Sequence, residues 1–209
     1  MRLTAKLVNR ASSDDDPWLI GNQALYDLCE RYPQHKVDGE IIAKVWLIGR
    51  AYAASVERGR GKASGSDLSN DRFYTETLPG ALRQSGLDQK LENLARVEDI
   101  DGSSAAQVLD AHAHLVGLFY DLTRKSKRSL ASKYLHFHRP NLFFIYDSRA
   151  ASSIRTLGLT RQDVEVPGAD PAYARFVGAA LAVRQQVLSR FGKKLNPRQL
   201  DRLLLAIHE

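Results

Sequence analysis

The chain has little of the chemistry that most readily identifies a small protein from its sequence. In 209 residues it has a single cysteine, Cys29, which excludes an internal disulfide framework, a zinc ribbon and an iron–sulfur cluster ligated by this chain alone. It has no run of about 18 apolar residues, so we expect no membrane span. The first residues lack the apolar stretch of a secretion signal. We therefore expect a cytoplasmic protein.

The overall composition is that of a folded protein with a modest positive charge. Hydrophobic residues make up 44% and charged residues 26% of the chain, so a substantial core can form and wholesale disorder is excluded. Thirty Lys and Arg residues against 24 Asp and Glu residues give a formal net charge of +6. This excess permits a polyanionic partner without demanding one. The length suits one domain, 1–209.

Apolar residues recur at spacings of three and four over several stretches, which indicates amphipathic helices. Strand signals are few, and the short aromatic stretch 141–146 is interpreted as a buried connector. The Gly/Ser-rich stretch 59–70 is typical of a flexible surface loop. The sequence therefore predicts an all-α fold, a single compact bundle of about seven to nine helices. The most periodic stretches are 22–31, 37–58, 103–122, 170–191 and 196–207.

One window of the sequence contains no acidic residue. It lies between Asp121 and Asp147 and is rich in cations and hydroxyl groups. Cationic side chains release counterions from a run of phosphates, while hydroxyls and backbone N–H groups fix the register. A solvated basic turn between two helices is the alternative interpretation. The candidate phosphate contacts near this window are Lys125, Lys127, Arg128, Ser129, Ser132 and Arg149.

A short helix is predicted over 129–138, with Ser129 as its N-cap and Pro140 just beyond its end. On a helical wheel Ser129, Ser132, Lys133 and His136 form a polar side, opposite an apolar one. An apolar flank beside Lys133 would desolvate its ammonium and lower its pKa towards neutrality, as a lysine nucleophile requires. A surface lysine with a snorkelling side chain is the competing interpretation.

Asp147 follows the apolar connector and begins the next predicted helix. A carboxylate in this position is a good helix N-cap, which needs no further function. It is also well placed to face a developing cation, because a rigid segment delivers it to the helix start. Both roles are compatible.

The order of basic turn, capped helix with Lys133, proline, apolar connector and Asp147 resembles the helix-hairpin-helix DNA glycosylases, in particular their 8-oxoguanine glycosylase (OGG) branch. The resemblance covers roughly 124–155. It implies an all-helical DNA repair enzyme with N-glycosylase and AP lyase activity and no cofactor or metal. Its partner would be duplex DNA carrying a lesion or modified base. By this resemblance Lys133 is the nucleophile that forms a Schiff base, and Asp147 is the assisting carboxylate. The base pocket would be lined by Trp46, Tyr52, His136 and Tyr146.

Two other functions remain open at the level of sequence. A non-catalytic nucleic-acid-binding or regulatory module would use the same basic turn without lysine chemistry. A metal-dependent hydrolase would use two His-x-His pairs, which can chelate one metal on strands but lie about 200° apart on a helix. Both pairs fall in stretches predicted to be helical. The candidate ligands are His112, His114, His136, His138, Asp110 and Asp147.

Overall fold

The computed structural model describes residues 3–58, 69–159, 164 and 166–208. Over these residues the chain forms ten helices and no strand. The predicted all-α class is confirmed, with one helix more than the upper end of the predicted number. The helices are α1 (Ala5–Ala11), α2 (Leu19–Arg31), α3 (Asp38–Ala51), α4 (consecutive segments Asn70–Arg72, a π-helical Phe73–Thr77 and Leu78–Gln84), α5 (Leu87–Asn93), α6 (Ala105–Thr123), α7 (Arg128–His138), α8 (Ser148–Leu157), α9 (Pro171–Phe191) and α10 (Pro197–His208).

The boundaries of the last two helices follow the signals in the sequence. The Asp170 carboxylate accepts hydrogen bonds from two backbone N–H groups in the first turn of α9. Gly192 ends α9 with a φ of 66°, a left-handed conformation that glycine adopts at little cost. At the start of α10, the Asn196 side chain accepts from the backbone N–H of Gln199. The predictions for these two helices are confirmed.

The helix predicted over 37–58 is shorter than expected. α3 ends at Ala51, and Ala53 has a φ of 50°, which a continuing α-helix does not allow. The chain then folds back against α3 so closely that a Cβ on Gly49 would lie 3.2 Å from the Ser55 Cα. Val56 is nevertheless fully buried. The apolar spacing in the sequence therefore extends beyond the end of α3, because the turn that follows also packs on the core.

α7 lies at the centre of the molecule, in contact with α2, α3 and α6. Every residue from 130 to 137 is buried. Ser132, Lys133 and His136, three residues of the predicted polar side, are as buried as their apolar neighbours, so a snorkelling surface position for Lys133 does not occur. Polar side chains on α7 therefore have to find partners inside the protein.

The connector 141–146 is buried over residues 142–145 and belongs to no sheet, as predicted. Side chains from neighbouring helices satisfy its backbone. His136 Nδ1 donates to the Phe143 carbonyl at 2.9 Å, and the Tyr173 hydroxyl donates to the Phe144 carbonyl at 2.9 Å. The Tyr146 N–H donates to Ser132 Oγ at 3.0 Å. These bonds hold the end of the connector, and therefore Asp147, against α7.

The loop predicted over 59–70 falls mostly on 59–68, outside the described residues. Its last two positions belong to the start of a helix and not to a loop: Ser69 caps α4 and Asn70 begins it. Buried apolar side chains from α1 to α10 form one contiguous cluster. In the part of the chain that the structure describes, no helix has both the length and the apolar character needed to cross a bilayer.

Candidate active site

Lys133 lies in the middle of α7 and is only 3% exposed. Its Nζ donates a hydrogen bond to Ser129 Oγ, one turn earlier, at 3.0 Å. The same nitrogen is 4.0 Å from Asp147 Oδ2 and 5.5 Å from the centre of the Tyr52 ring. An ammonium has three protons to donate, so one hydrogen bond and one longer ion pair leave it incompletely satisfied.

The position of Ser129 differs from the predicted one. α7 begins at Arg128, so Ser129 is inside the helix and its side chain does not cap it. Its hydroxyl instead accepts a hydrogen bond from Lys133, which lies four residues later on the same face of α7. Ser129 thus helps to orient the amine.

Asp147 holds its predicted place as the N-cap of α8. Its Oδ1 accepts from the Ala150 N–H at 2.9 Å, while Oδ2 faces Lys133. The guanidinium of Arg149 lies 3.9 Å from the same oxygen. The Asp147 side chain is 19% exposed, so this side of the pair is reached by solvent. One carboxylate therefore serves as a cap and as the neighbour of a buried amine.

The surroundings of Lys133 favour its neutral form. Burial lowers the pKa of the Lys133 ammonium below its ordinary value, and the positive charge of Arg149 acts in the same direction. The negative charges of Asp147 and Asp201 oppose this shift. Desolvation is the largest of these effects. The direction is the one that a lysine nucleophile requires.

A second carboxyl group, Asp201 on α10, belongs to the same region and was missed by the sequence analysis. It is 3% exposed, and burial raises its pKa to about 7 although the nearby Arg198 guanidinium lowers it. The sequence did contain a signal. Asp201 lies next to Leu200 and one turn before Leu204, on the apolar face of α10, where a carboxylate is out of place.

Asp201 is part of a hydrogen-bonded network that reaches the Lys133 site through Tyr52. Arg198 Nη1 donates to Asp201 Oδ2 and to the Tyr52 hydroxyl, both at 3.1 Å. The Tyr52 hydroxyl donates to Asn22 Oδ1 at 2.7 Å. Arg198 also pairs with Asp16 at 3.5 Å. Tyr52, predicted to line the base pocket, is therefore beside Lys133.

The other three residues predicted for the base pocket lie in different environments. Trp46 is 44% exposed on α3, with the Arg50 guanidinium over its ring. His136 is fully buried, and both its ring nitrogens are bonded, to Tyr26 and to the Phe143 carbonyl. Both ring nitrogens of His136 therefore already have partners inside the protein. Tyr146 is partly buried and packs edge-on against Phe176.

Several of the predicted phosphate contacts have internal partners instead. Arg128 forms a two-pronged ion pair with Asp170, at 2.5 and 2.7 Å. Lys127 Nζ donates to the Arg58 carbonyl at 2.5 Å. Ser132 is fully buried, so a contact with phosphate is excluded in this conformation. Lys125 and Arg149 are exposed. Part of the positive charge in the acid-free window is therefore neutralised by the Asp170 carboxylate, from elsewhere in the chain.

The two His-x-His pairs lie on α6 and α7, as their sequence context predicted. His112 is buried against the Tyr173 ring, with ring centres 3.7 Å apart. Burial lowers the pKa of His112 to about 3. Within the described ranges, no group of three or more His, Cys, Asp or Glu residues is arranged to hold a metal ion. The metal-dependent hydrolase therefore has no support from this arrangement.

Comparison of the chain with protein-family models, with curated proteins and with solved structures finds no match. The chemistry must therefore be argued from the site itself. A buried amine whose pKa is lowered, a partly exposed carboxylate 4.0 Å away and a buried carboxyl whose pKa is raised are typical of a functional centre. Such a centre can form a covalent bond through nitrogen and stabilise positive charge beside it.

Proposed function

We propose that this protein is a DNA glycosylase with AP lyase activity, in which Lys133 forms a Schiff base with the sugar of a damaged or modified nucleotide. The observation that carries the proposal is the buried Lys133 amine facing the partly exposed Asp147 carboxylate across 4.0 Å. A structural ion pair would bring the two groups to hydrogen-bonding distance. Here the two groups are 4.0 Å apart, and the Asp147 side chain is 19% exposed.

The proposed reaction begins with a nucleotide flipped out of the duplex, at a cost of a few kcal/mol. The bond between C1′ and the base breaks, and its electron pair leaves with the base. The neutral Lys133 amine forms a bond to C1′ and gives up one proton, which the departed base takes. The C1′–O4′ bond then opens, O4′ takes a proton, and an iminium remains between Lys133 and C1′. Loss of a C2′ proton expels the 3′ phosphate and nicks the strand.

Asp147 has an electrostatic part in this proposal. As the base departs, positive charge develops on the sugar, and a fixed negative charge nearby lowers the barrier. The hydrogen bond from the Ala150 N–H holds one carboxylate oxygen in place, so the other keeps a fixed direction. The exposed side chains of Lys125 and Arg149 are the predicted phosphate contacts that remain available to the DNA backbone.

Borohydride trapping on a duplex with one abasic site tests the proposal. The reagent reduces the iminium to a stable amine, so we expect a covalent protein–DNA adduct from the wild type and none from Lys133→Gln. Lys36→Gln is the matched control, since Lys36 is exposed and its loss should leave the yield of adduct unchanged. On a duplex that still carries the base to be removed, Asp147→Asn should slow adduct formation by roughly 10²-fold or more, as the loss of a fixed electrostatic group does in other enzymes, and it should have a smaller effect on the abasic duplex, from which no base departs.

The same assay separates the enzyme from a binding module. Absence of an adduct from the wild type, or equal yields from the wild type and Lys133→Gln, contradicts the proposal. If the protein binds the duplex without forming an adduct, the non-catalytic nucleic-acid-binding module becomes the better account. If the wild type does form the adduct, a panel of duplexes that each carry one modified base then identifies the substrate.

A further inference from the structure

A cavity of about 310 Å³ opens between α8 and α9. Its volume is at the lower end of the range for ligand pockets, about 300–1,000 Å³, so it suits a small molecule. Lys133, Asp147 and Asp201 are not among the residues that line it. The cavity is therefore a second candidate site, formed by other side chains than those of the buried amine.

Matching faces of the two helices form the walls of this cavity. On α8 the wall contains Ala151, Ile154 and Arg155, and on α9 it contains Ala172, Arg175, Phe176 and Ala179. Because residues three and four positions apart lie on one face of a helix, each set is a single stripe. The alanine side chains are short, so the two stripes leave space between the helices.

The inside of the cavity is apolar. Ala151, Ile154 and Phe176 are buried, and the Phe176 ring packs edge-on against the Tyr146 ring, with ring centres 5.1 Å apart. Apart from Tyr146 and two arginines, no lining residue has a polar side chain. A nucleobase or a sugar would leave hydrogen-bonding groups unpaired against such walls, which is unfavourable. A hydrocarbon group suits them.

The two arginines give the mouth of the cavity a positive charge. Arg155 and Arg175 are both exposed and lie on facing stripes. Among the described residues, neither guanidinium has a hydrogen bond or an ion pair, in contrast to Arg128, which pairs with Asp170. No acidic residue lines the cavity. A guanidinium binds a carboxylate through two parallel N–H···O bonds, so the mouth is suited to an anion.

We propose that this cavity binds a small carboxylate with an apolar body. Arg155 and Arg175 hold the carboxylate at the mouth, and the hydrocarbon part lies against Ile154 and Phe176. Burial of the hydrocarbon supplies affinity, while the two cations fix the orientation of the ligand and exclude cationic molecules. The proposal goes beyond the proposed function and does not depend on it.

Three probes separate the two parts of this interaction. Hexanoate has the carboxylate and an apolar chain, hexanol has the chain without the charge, and acetate has the charge without the chain. In NMR titrations of the full chain at neutral pH and millimolar concentrations, we expect hexanoate to shift amide signals of α8 and α9. It should bind at least about tenfold tighter than hexanol or acetate, as charge-assisted hydrogen bonds and burial of the chain each provide. Equal binding of hexanoate and hexanol, or no binding of hexanoate, overturns the proposal.

Three variants locate the binding. Arg155→Gln and Arg175→Gln each remove one charge from the mouth, and each should weaken hexanoate binding about fivefold without changing hexanol binding. Arg96→Gln is the matched control, because Arg96 is exposed and does not line the cavity, and it should change neither. Ala179→Leu fills the cavity and should abolish binding of both probes.

If Ala179→Leu does not fold, as judged by circular dichroism, the two arginine variants decide, since both residues are exposed. Unchanged hexanoate binding in either arginine variant, or in a folded Ala179→Leu, contradicts the proposal.

The outcome is separable from that of the lyase proposal, because hexanoate binding requires no DNA. Lys133→Gln should bind hexanoate as the wild type does, although it forms no adduct with abasic DNA. If folded Lys133→Gln loses hexanoate binding, the carboxylate binds at the buried amine, and the assignment to the cavity between α8 and α9 is wrong. If hexanoate binds in the cavity and the wild type forms no adduct, the cavity is supported and the lyase is contradicted.

Discussion

The two buried lysines of this protein should respond in opposite ways to the same substitution. Lys44 is fully buried, and its Nζ donates to the carbonyls of Tyr32 and Gln34, at 2.6 and 2.9 Å. Lys133 is equally buried but has one hydrogen bond, to the Ser129 hydroxyl. We expect Lys133→Met to stabilise the fold and Lys44→Met to destabilise it.

The magnitudes follow from the partners that each substitution leaves behind. Replacing a buried ion pair by apolar side chains of similar volume is often neutral or stabilises by about 1–4 kcal/mol, whereas removing one partner destabilises where the other stays buried and unpaired. In Lys133→Met the Ser129 hydroxyl can turn and Asp147 is reached by solvent, so we expect a gain of about 1–2 kcal/mol, or about 2–8 °C in Tm. In Lys44→Met two carbonyls lose a donor, at about 1–3 kcal/mol each. A net loss of about 2 kcal/mol lowers Tm by about 4–8 °C.

Thermal unfolding followed by circular dichroism at neutral pH measures both effects. Lys36→Met is the control, because Lys36 is exposed and its replacement should change Tm little. The reasoning fails if Lys133→Met lowers Tm by several degrees, since Lys133 would then be a structural residue. It also fails if the two substitutions at buried positions shift Tm in the same direction.

Three further predictions concern the charged groups. Burial raises the pKa of Asp201 to about 7, so the wild type loses stability as this carboxyl ionises between its unfolded pKa and pH 7. The stability of Asp201→Asn relative to wild type should therefore rise from pH 5 to pH 8, as measured by urea midpoints, and a constant difference would contradict this. Arg128→Gln should lower the free energy of unfolding by about 3 kcal/mol, because the mostly buried Asp170 carboxylate keeps its two backbone N–H donors but loses its cationic partner. In contrast, Lys125→Gln should leave stability unchanged and reduce the salt dependence of DNA binding by about one unit of slope.

The helices were predictable where local signals and tertiary packing agree. α9 has a capping aspartate, a proline in its first turn and a terminal glycine, and its ends are as predicted. α3 shows the limit of this reasoning. Its apolar spacing continues past Ala51 because the following turn also packs on the core, and only the positive φ of Ala53 ends the helix. The spacing of apolar residues indicates which residues are buried, but it does not indicate the backbone conformation that connects them.

The candidate site was predictable only in the part that is local in sequence. Lys133 and Asp147 are 14 positions apart along the chain and are held together by one helix and one connector, so their order in the sequence already indicated a pair. Asn22 and Arg198 come from opposite ends of the chain. Their meeting at Tyr52 depends on how α2, α3 and α10 pack, which no spacing rule provides. Sequence reasoning also assigned Arg128 to phosphate, because its partner Asp170 lies 42 positions away.

The distribution of unsatisfied polar atoms distinguishes the site from the structural networks of the same protein. The buried Lys44 and the Arg128–Asp170 pair have partners at short distance, and each can be explained by stability alone. The network at Tyr52 contains an amide, a guanidinium and a carboxyl group that each lack one partner, and each unsatisfied group costs about 1–3 kcal/mol. Lys133, beside this network, is also poorly satisfied. Buried polar atoms of this kind are normally satisfied by an ordered water, an ion or a ligand, so the network at Tyr52 differs from the two structural networks in having hydrogen bonds left to make.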